Sequence, residues 1–129
     1  MRFPFEKWNT LMPKAIAVVD DDDAVRDSLA AFLTSAGYLV RTFATSDEFL
    51  ESTRRTKFDC VILDHHMGGM TGVELAEGMA RERHHTAIVM ISGNLSDAVR
   101  SRAKEAGVEA ILEKPFSDDE LVSAIESLL

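Results

Sequence analysis

Residues 14–43, KAIAVVDDDDAVRDSLAAFLTSAGYLVRTF, change their hydrophobic period twice, and those changes decide the fold. Ala15–Asp20 is a short apolar run ending in acid, which suits a buried strand. Val25, Leu29, Phe32, Leu33 and Ala36 then recur at i, i+4, i+7, i+8 and i+11, one face of a helix. Gly37 follows, where a helix ends most easily on a residue of positive φ. Leu39–Phe43 begins the next apolar run. The unit reads strand, helix, strand.

The same alternation continues outward. Phe58–Asp64, Ala87–Ile91 and Glu109–Leu112 are further apolar runs suited to buried strands. Between and after them, Val73, Ala76, Met79 and Ala80, and later Leu121, Val122, Ile125, Leu128 and Leu129, keep helical spacing. A thin stripe of Ala98, Val99, Ala103 and Ala106 marks a weaker helix over about Asp97–Ala106, closed by Gly107. Ser117-x-x-Glu120 has the form of a capping box, with Phe116 and Leu121 at the staple positions, and Thr45-x-x-Glu48 resembles it. Five strands alternating with five helices predict an α/β fold, a doubly wound five-stranded parallel sheet covered on both faces. Right-handed crossovers favour the order 2-1-3-4-5. Ligands of such sheets sit beyond the carboxyl ends of the strands, beside strand 1.

The totals set bounds. A chain of 129 residues is one domain on a prior of roughly 100–200 residues each. Its 22 acidic and 14 basic residues give a net charge of −8, which disfavours direct binding to nucleic acid or anionic lipid. Cys60 is the only cysteine, so no disulfide framework or CxxC pair exists, and it reads as a small buried hydrophobe. No apolar run approaches the roughly 18 residues of a membrane helix. Met1–Pro13 lacks the features of a secretory signal. A cytoplasmic protein is expected. Met1–Pro13 stands outside the βα units as an N-terminal extension, a tail or interface segment, and Met12-Pro13-Lys14 would make a natural beginning.

Chemistry-bearing residues gather at one sheet edge. Strand 1 ends in Asp20-Asp21, strand 3 in Asp64, strand 4 in Ser92, and strand 5 just before Lys114-Pro115. Converging carboxylates repel, and oxygen donors alone suit a hard cation such as Mg²⁺. A phosphoryl group on a carboxylate also needs a cation and a hydrogen-bond donor, the parts Lys114 and Ser92 can play. Asp22 and Asp23 read as helix-capping or solvated acids. His65-His66 and His84-His85 lack the spacing of a transition-metal site, and His65-His66 can tune access to Asp64. Met67, Met70, Met79 and Met90 read as packing.

With these residues in place, the chain resembles the receiver (response-regulator) domain family of two-component signalling over Lys14–Leu129, about nine-tenths of its length. VVDDDDAV (Asp20, Asp21), VILDHHMGGMTG (Asp64, Met67, Gly72), MISGN (Ser92, Gly93) and EKPF (Lys114, Pro115, Phe116) carry the resemblance. It is closest in look to receivers of the nitrogen-fixation regulator type, although no DNA-binding output domain follows Leu129, so a stand-alone receiver is expected. The resemblance implies a flavodoxin-like (βα)5 fold. It implies that Asp64 takes phosphate from a histidine kinase or histidine phosphotransfer protein. Asp21, Asp64 and the His66 backbone carbonyl would ligate Mg²⁺, with Asp20 acting largely through water. Ser92 would bond the phosphoryl oxygens and Lys114 pair with them, and Lys114-Pro115 would be cis. A second copy of the chain is a further candidate partner, while nucleic acid and membrane are not expected.

Three residues depart from the family pattern. Gly68 stands where a proline is usual, Ser92 replaces threonine, and Ile111 occupies the switch position that an aromatic usually fills. The third puts the usual conformational readout in doubt. Two other readings compete. An aspartyl-phosphate phosphatase or phosphotransferase also uses an Asp nucleophile, Mg²⁺ and a lysine, but it would place a second Asp where His66 stands and needs room for a cap domain. A receiver-like module that no longer accepts phosphate would not be expected to keep all five site residues.

Overall fold

The computed structural model describes residues 13–82 and 85–129; the N-terminal extension up to Met12, and His84, lie outside them. Ten elements alternate: β1 (Ala15–Val19), α1 (Asp23–Ser35), β2 (Leu39–Phe43), α2 (Ser46–Thr53), β3 (Cys60–Asp64), α3 (Gly72–Arg81), β4 (Ala87–Ser92), α4 (Asp97–Glu105), β5 (Val108–Glu113) and α5 (Asp118–Leu128). The sheet is parallel throughout and ordered β2-β1-β3-β4-β5, as the sequence predicts.

Alternation along the central strands divides the core into two layers. Val61 and Leu63 of β3, with Met90 of β4, meet Phe49, Leu75 and Met79 on the face carrying α2 and α3. Cys60 and Ile62, with Val89 and Ile91, meet Leu29, Leu33, Leu121 and Ile125 on the face carrying α1 and α5. Strands buried on both faces read as continuous apolar runs. That holds for β1, β3 and β4, but not for the outer strands. β2 and β5, also expected to be buried, are largely exposed or half-buried, and Leu39 is 58% exposed, because each edge strand is paired on one side only.

Helix ends follow local chemistry. Asp22, Thr45, Thr71, Ser96 and Ser117 each accept a backbone N–H at the start of a helix. Ser117 and Glu120 form the expected capping box. Glu48 instead reaches back to the amide of Ala44, at 3.4 Å, so Thr45 caps alone. Gly37 and Gly107 adopt φ of 101° and 94°, the conformation that stops α1 and α4. In α3 the buried stripe runs through Leu75, and Ala80 faces out, since the helix axis turns that position from the sheet. Met70, expected in the packing, is 37% exposed on the loop before α3.

Phe49 is fully buried and makes ring contacts with Phe43 and Phe58, at 5.6 and 6.0 Å between centroids. Phe49→Ala is expected to destabilise the domain by about 3–5 kcal/mol, read as a lowered urea midpoint. Leu39→Ala, at an exposed position, should change it by under about 0.5 kcal/mol.

Candidate functional site

Asp20 and Asp21 follow the last residue of β1, and Asp64 is the last residue of β3. Because Val19 pairs with Leu63, the adjacent ends of the two strands bring the acids together. Each offers a carboxylate oxygen within 4.8 Å of the others. Asp20 and Asp64 are buried and Asp21 is exposed. Each carboxylate accepts one backbone N–H: Asp22 donates to Asp20 Oδ1 at 2.9 Å, Gly68 to Asp21 Oδ2 at 3.1 Å, and His66 to Asp64 Oδ1 at 3.3 Å. Burial, and then the charges of Asp64 and Asp21, hold the Asp20 carboxyl above the ordinary carboxylate range, against the opposing Asp22 amide and Lys114.

The remaining two site residues come from the next strands. Ser92 ends β4 and is fully buried, its Oγ accepting the Asn94 amide at 3.3 Å. Ser92 pairs with Glu113, which puts Lys114 beside it, and the Lys114 amide donates to the Ser92 carbonyl at 2.8 Å. Lys114 Nζ lies 3.6 Å from Asp64 Oδ1. The Lys114-Pro115 bond is cis.

The acids fit a hard divalent cation. Asp20 Oδ2 is buried with no hydrogen-bond partner, the state a cation or its bound water would relieve. The donors are all oxygen. The His66 amide on Asp64 keeps the His66 backbone beside the acids, where its carbonyl is expected to serve.

Other candidates fall elsewhere. Asp22 caps α1, and Asp23 pairs with Arg26 on the surface. His85 lines a cavity of about 360 Å³ with Phe58 and Thr86, residues that precede β3 and β4 at the far edge of the sheet. His65 is half-buried, and burial, reinforced by neighbouring His66, holds it below its usual pKa. Burial pushes the Cys60 thiol up to about 12, so it is an inert core residue. Ile111 is half-buried and packs on the core layer that contains Ala103 and Ala106.

Several supporting groups escape the sequence reading. Arg26 Nη1 donates to the Asp20 carbonyl at 2.7 Å, and the Gly68 amide reaches Asp21. Neither contact has a local signature. Thr71-x-x-Glu74 does have one, and it forms a full capping box at the start of α3. Gly72 abuts the backbone of Asp64: a Cβ there would lie 2.9 Å from the Asp64 carbonyl oxygen and from His65 Cα.

Residues 16–126 match the response regulator receiver domain. The chain belongs to that family. This receiver is 38% identical over 114 residues to the transcriptional regulatory protein FixJ of Bradyrhizobium diazoefficiens, covering 88% of this chain and 56% of FixJ. It is 32% identical over 114 residues to the response regulator protein TodT of Pseudomonas putida, covering 88% and 50%. The chain thus spans about half the length of the curated relatives it matches. Among solved structures, a CheY-like receiver domain protein from Methanospirillum hungatei superposes with a TM-score of 0.86 at 31% identity, covering 91% of this chain and 94% of that one. Vibrio cholerae chemotaxis protein CheY4 superposes at 0.85 and 28% identity, covering 92% and 100%.

Two expectations follow. A raised folded-state pKa at Asp20 means that ionising it opposes folding once pH rises above the ordinary carboxylate value. In EDTA at neutral pH, Asp20→Asn should therefore unfold at a higher urea midpoint than wild type, the gap closing as pH falls below about 3.9. Gly72→Ala should lower stability by about 1–3 kcal/mol, because backbone rather than a flexible side chain must yield.

Proposed function

We propose that this receiver accepts a phosphoryl group on Asp64 from a histidine kinase or histidine phosphotransfer protein, in a Mg²⁺-dependent reaction in the cytoplasm. The supporting observation is the placement of Asp64: buried, 3.6 Å from Lys114, with carboxylate oxygens of Asp20 and Asp21 within 4.8 Å. Asp21, Asp64 and the His66 carbonyl would hold the ion, and Asp20 would act through its water. When bound, Mg²⁺ neutralises charge on the phosphoryl oxygens.

The chain's own groups account for the rest. An Asp64 carboxylate oxygen attacks phosphorus as the donor's N–P bond breaks, and the imidazole leaves and takes up a proton. Lys114 shifts from Asp64 to a phosphoryl oxygen and offsets its developing charge. Ser92 keeps its hydroxyl proton to donate, since its oxygen already accepts from Asn94. Hydrolysis of the acyl phosphate resets the domain, so its chemistry is self-phosphorylation and self-dephosphorylation rather than turnover of a separate substrate. Among the described residues no helix is long and apolar enough to cross a membrane. The phosphorylated state acts through protein–protein contact, with a second copy of the chain among the candidates, or drains phosphate from a kinase as a sink.

Acetyl phosphate with Mg²⁺ is expected to label wild type with an acid-stable, base-labile phosphate, and Asp64→Asn to take none; label retained in that variant would overturn the assignment. Lys114→Ala should unfold within about 1 kcal/mol of wild type, as a partly solvated pair contributes little, while its phosphorylation or readout is impaired. With a beryllofluoride mimic, amide shifts should be larger in Gly68–Thr71 and Gly93–Ser96 than across Leu112 and Asp119–Leu129. Equal shifts in both regions would show that the ordinary switch operates with Ile111 in place.

A further inference from the structure

We infer that the backbone amide of Gly68 is a positioning group for the metal site, acting through Asp21. The inference deepens the proposed metal-dependent phosphorylation and rests on that reading. Asp21 is the exposed member of the acid cluster, at the tip of β1. Of the three acids, Asp20 and Asp64 are tied by amides two residues further along their own strand ends. Asp21 is tied across the cleft instead, by the Gly68 N–H at 3.1 Å, from 47 residues away in sequence.

That bond has two consequences. It engages Oδ2 and so limits how the Asp21 carboxylate can turn in the cleft. It also joins the loop after β3 to the end of β1, so the loop that follows the nucleophile is held in place by the same carboxylate that meets the metal. Orientation of a ligating carboxylate by an outer hydrogen bond typically changes metal affinity by one to two powers of ten. The bond depends on residue 68 having an amide proton, which every residue except proline supplies. A side chain at this position is tolerated: a Cβ on Gly68 would have Asp21 Oδ2 as its nearest neighbour, at 3.8 Å, and the backbone is not in the left-handed region.

The donor can therefore be removed or kept by single substitutions. Gly68→Pro deletes the amide proton, and Gly68→Ala keeps it while restricting the loop to a similar sense. Mg²⁺ titrations followed by calorimetry, on the full chain without phosphodonor, should give Gly68→Ala the affinity of wild type within about twofold and Gly68→Pro an affinity about tenfold weaker. Equal affinity for all three proteins, or equal loss in both variants, would overturn the inference. A metal-free measurement separates its failure from failure of the metal reading, and also covers a proline variant that does not fold. In EDTA the Gly68 amide of wild type should be protected from hydrogen exchange, and Asp21→Ala should abolish that protection. Protection unchanged in Asp21→Ala would overturn the bond itself, whereas absence of Mg²⁺ binding by a wild type whose Gly68 amide is protected would overturn the metal reading and with it the role assigned here.

Discussion

Parallel pairing of β1 and β3 forces like charges into one partly buried cleft, and much of the structure follows from holding them there. Two unit charges 4 Å apart repel by roughly 1 kcal/mol in water and about 4 kcal/mol at an effective dielectric of 20. A flexible support would relax by turning a carboxylate outward. The support is not flexible: β1 and β3 are both inner strands, nearly every residue of both is buried, and each packs into both core layers. Apolar packing several residues away holds the acids in an arrangement that their own electrostatics disfavours. The three amides and the Arg26 contact to the Asp20 carbonyl offset part of that repulsion.

The topology decides which groups share the cleft. In a parallel sheet every strand ends at the same edge, so Asp20-Asp21, Asp64, Ser92 and Lys114, separated widely in sequence, become neighbours as soon as the sheet order is set. Register then does the fine placement. Val19 against Leu63 aligns the acids, and Ser92 against Glu113 places Lys114 next to the hydroxyl and within 3.6 Å of Asp64. The extra residue in β5 between the partners of Ile88 and Val89 contributes to this register, because Glu109 is left without a partner in β4. Gly72 lets α3 start against the backbone of Asp64, so that residue is backed by a helix as well as by a strand.

What could be read from the sequence was whatever has a local or periodic signature. Strand runs, helix stripes, stop glycines and the Ser117 box are patterns over a few residues, and the motif residues fall at strand ends that those patterns already locate. Edge exposure of β2 has only a partial signal: Arg41 and Thr42 make Leu39–Phe43 less apolar than the inner strands, but the exposure of Leu39 itself follows only once the sheet order leaves the strand one neighbour. Leu75 in place of Ala80 is a matter of how α3 is rotated on the sheet, which a four-residue stripe underdetermines. The Gly68 amide is less visible still: a backbone donor carries no side-chain identity, and its partner is 47 residues away. Exposed Met70 follows from the loop path between Gly69, with φ of 87°, and the Thr71 cap.

Beyond the cleft, the two elements that follow Ser92 are held in different ways. Ile111 is β-branched, with restricted χ1 and no polar tip, and it packs against a core layer. α4 is held otherwise. Ala103 is its only buried residue, and the charged contacts are Arg102 with Glu77 of α3, at 2.8 Å, and Arg100 with Glu113 of β5. Solvated ion pairs of this kind contribute about 0–1 kcal/mol each, far less than a buried aromatic or leucine. The helix with the weakest apolar anchor thus begins five residues after Ser92, with only Gly93–Ser96 between them. Ser92 is thus linked to the end of β5 directly, through the Lys114 amide on its carbonyl, and to α4 through that short loop, and neither link passes through residue 111.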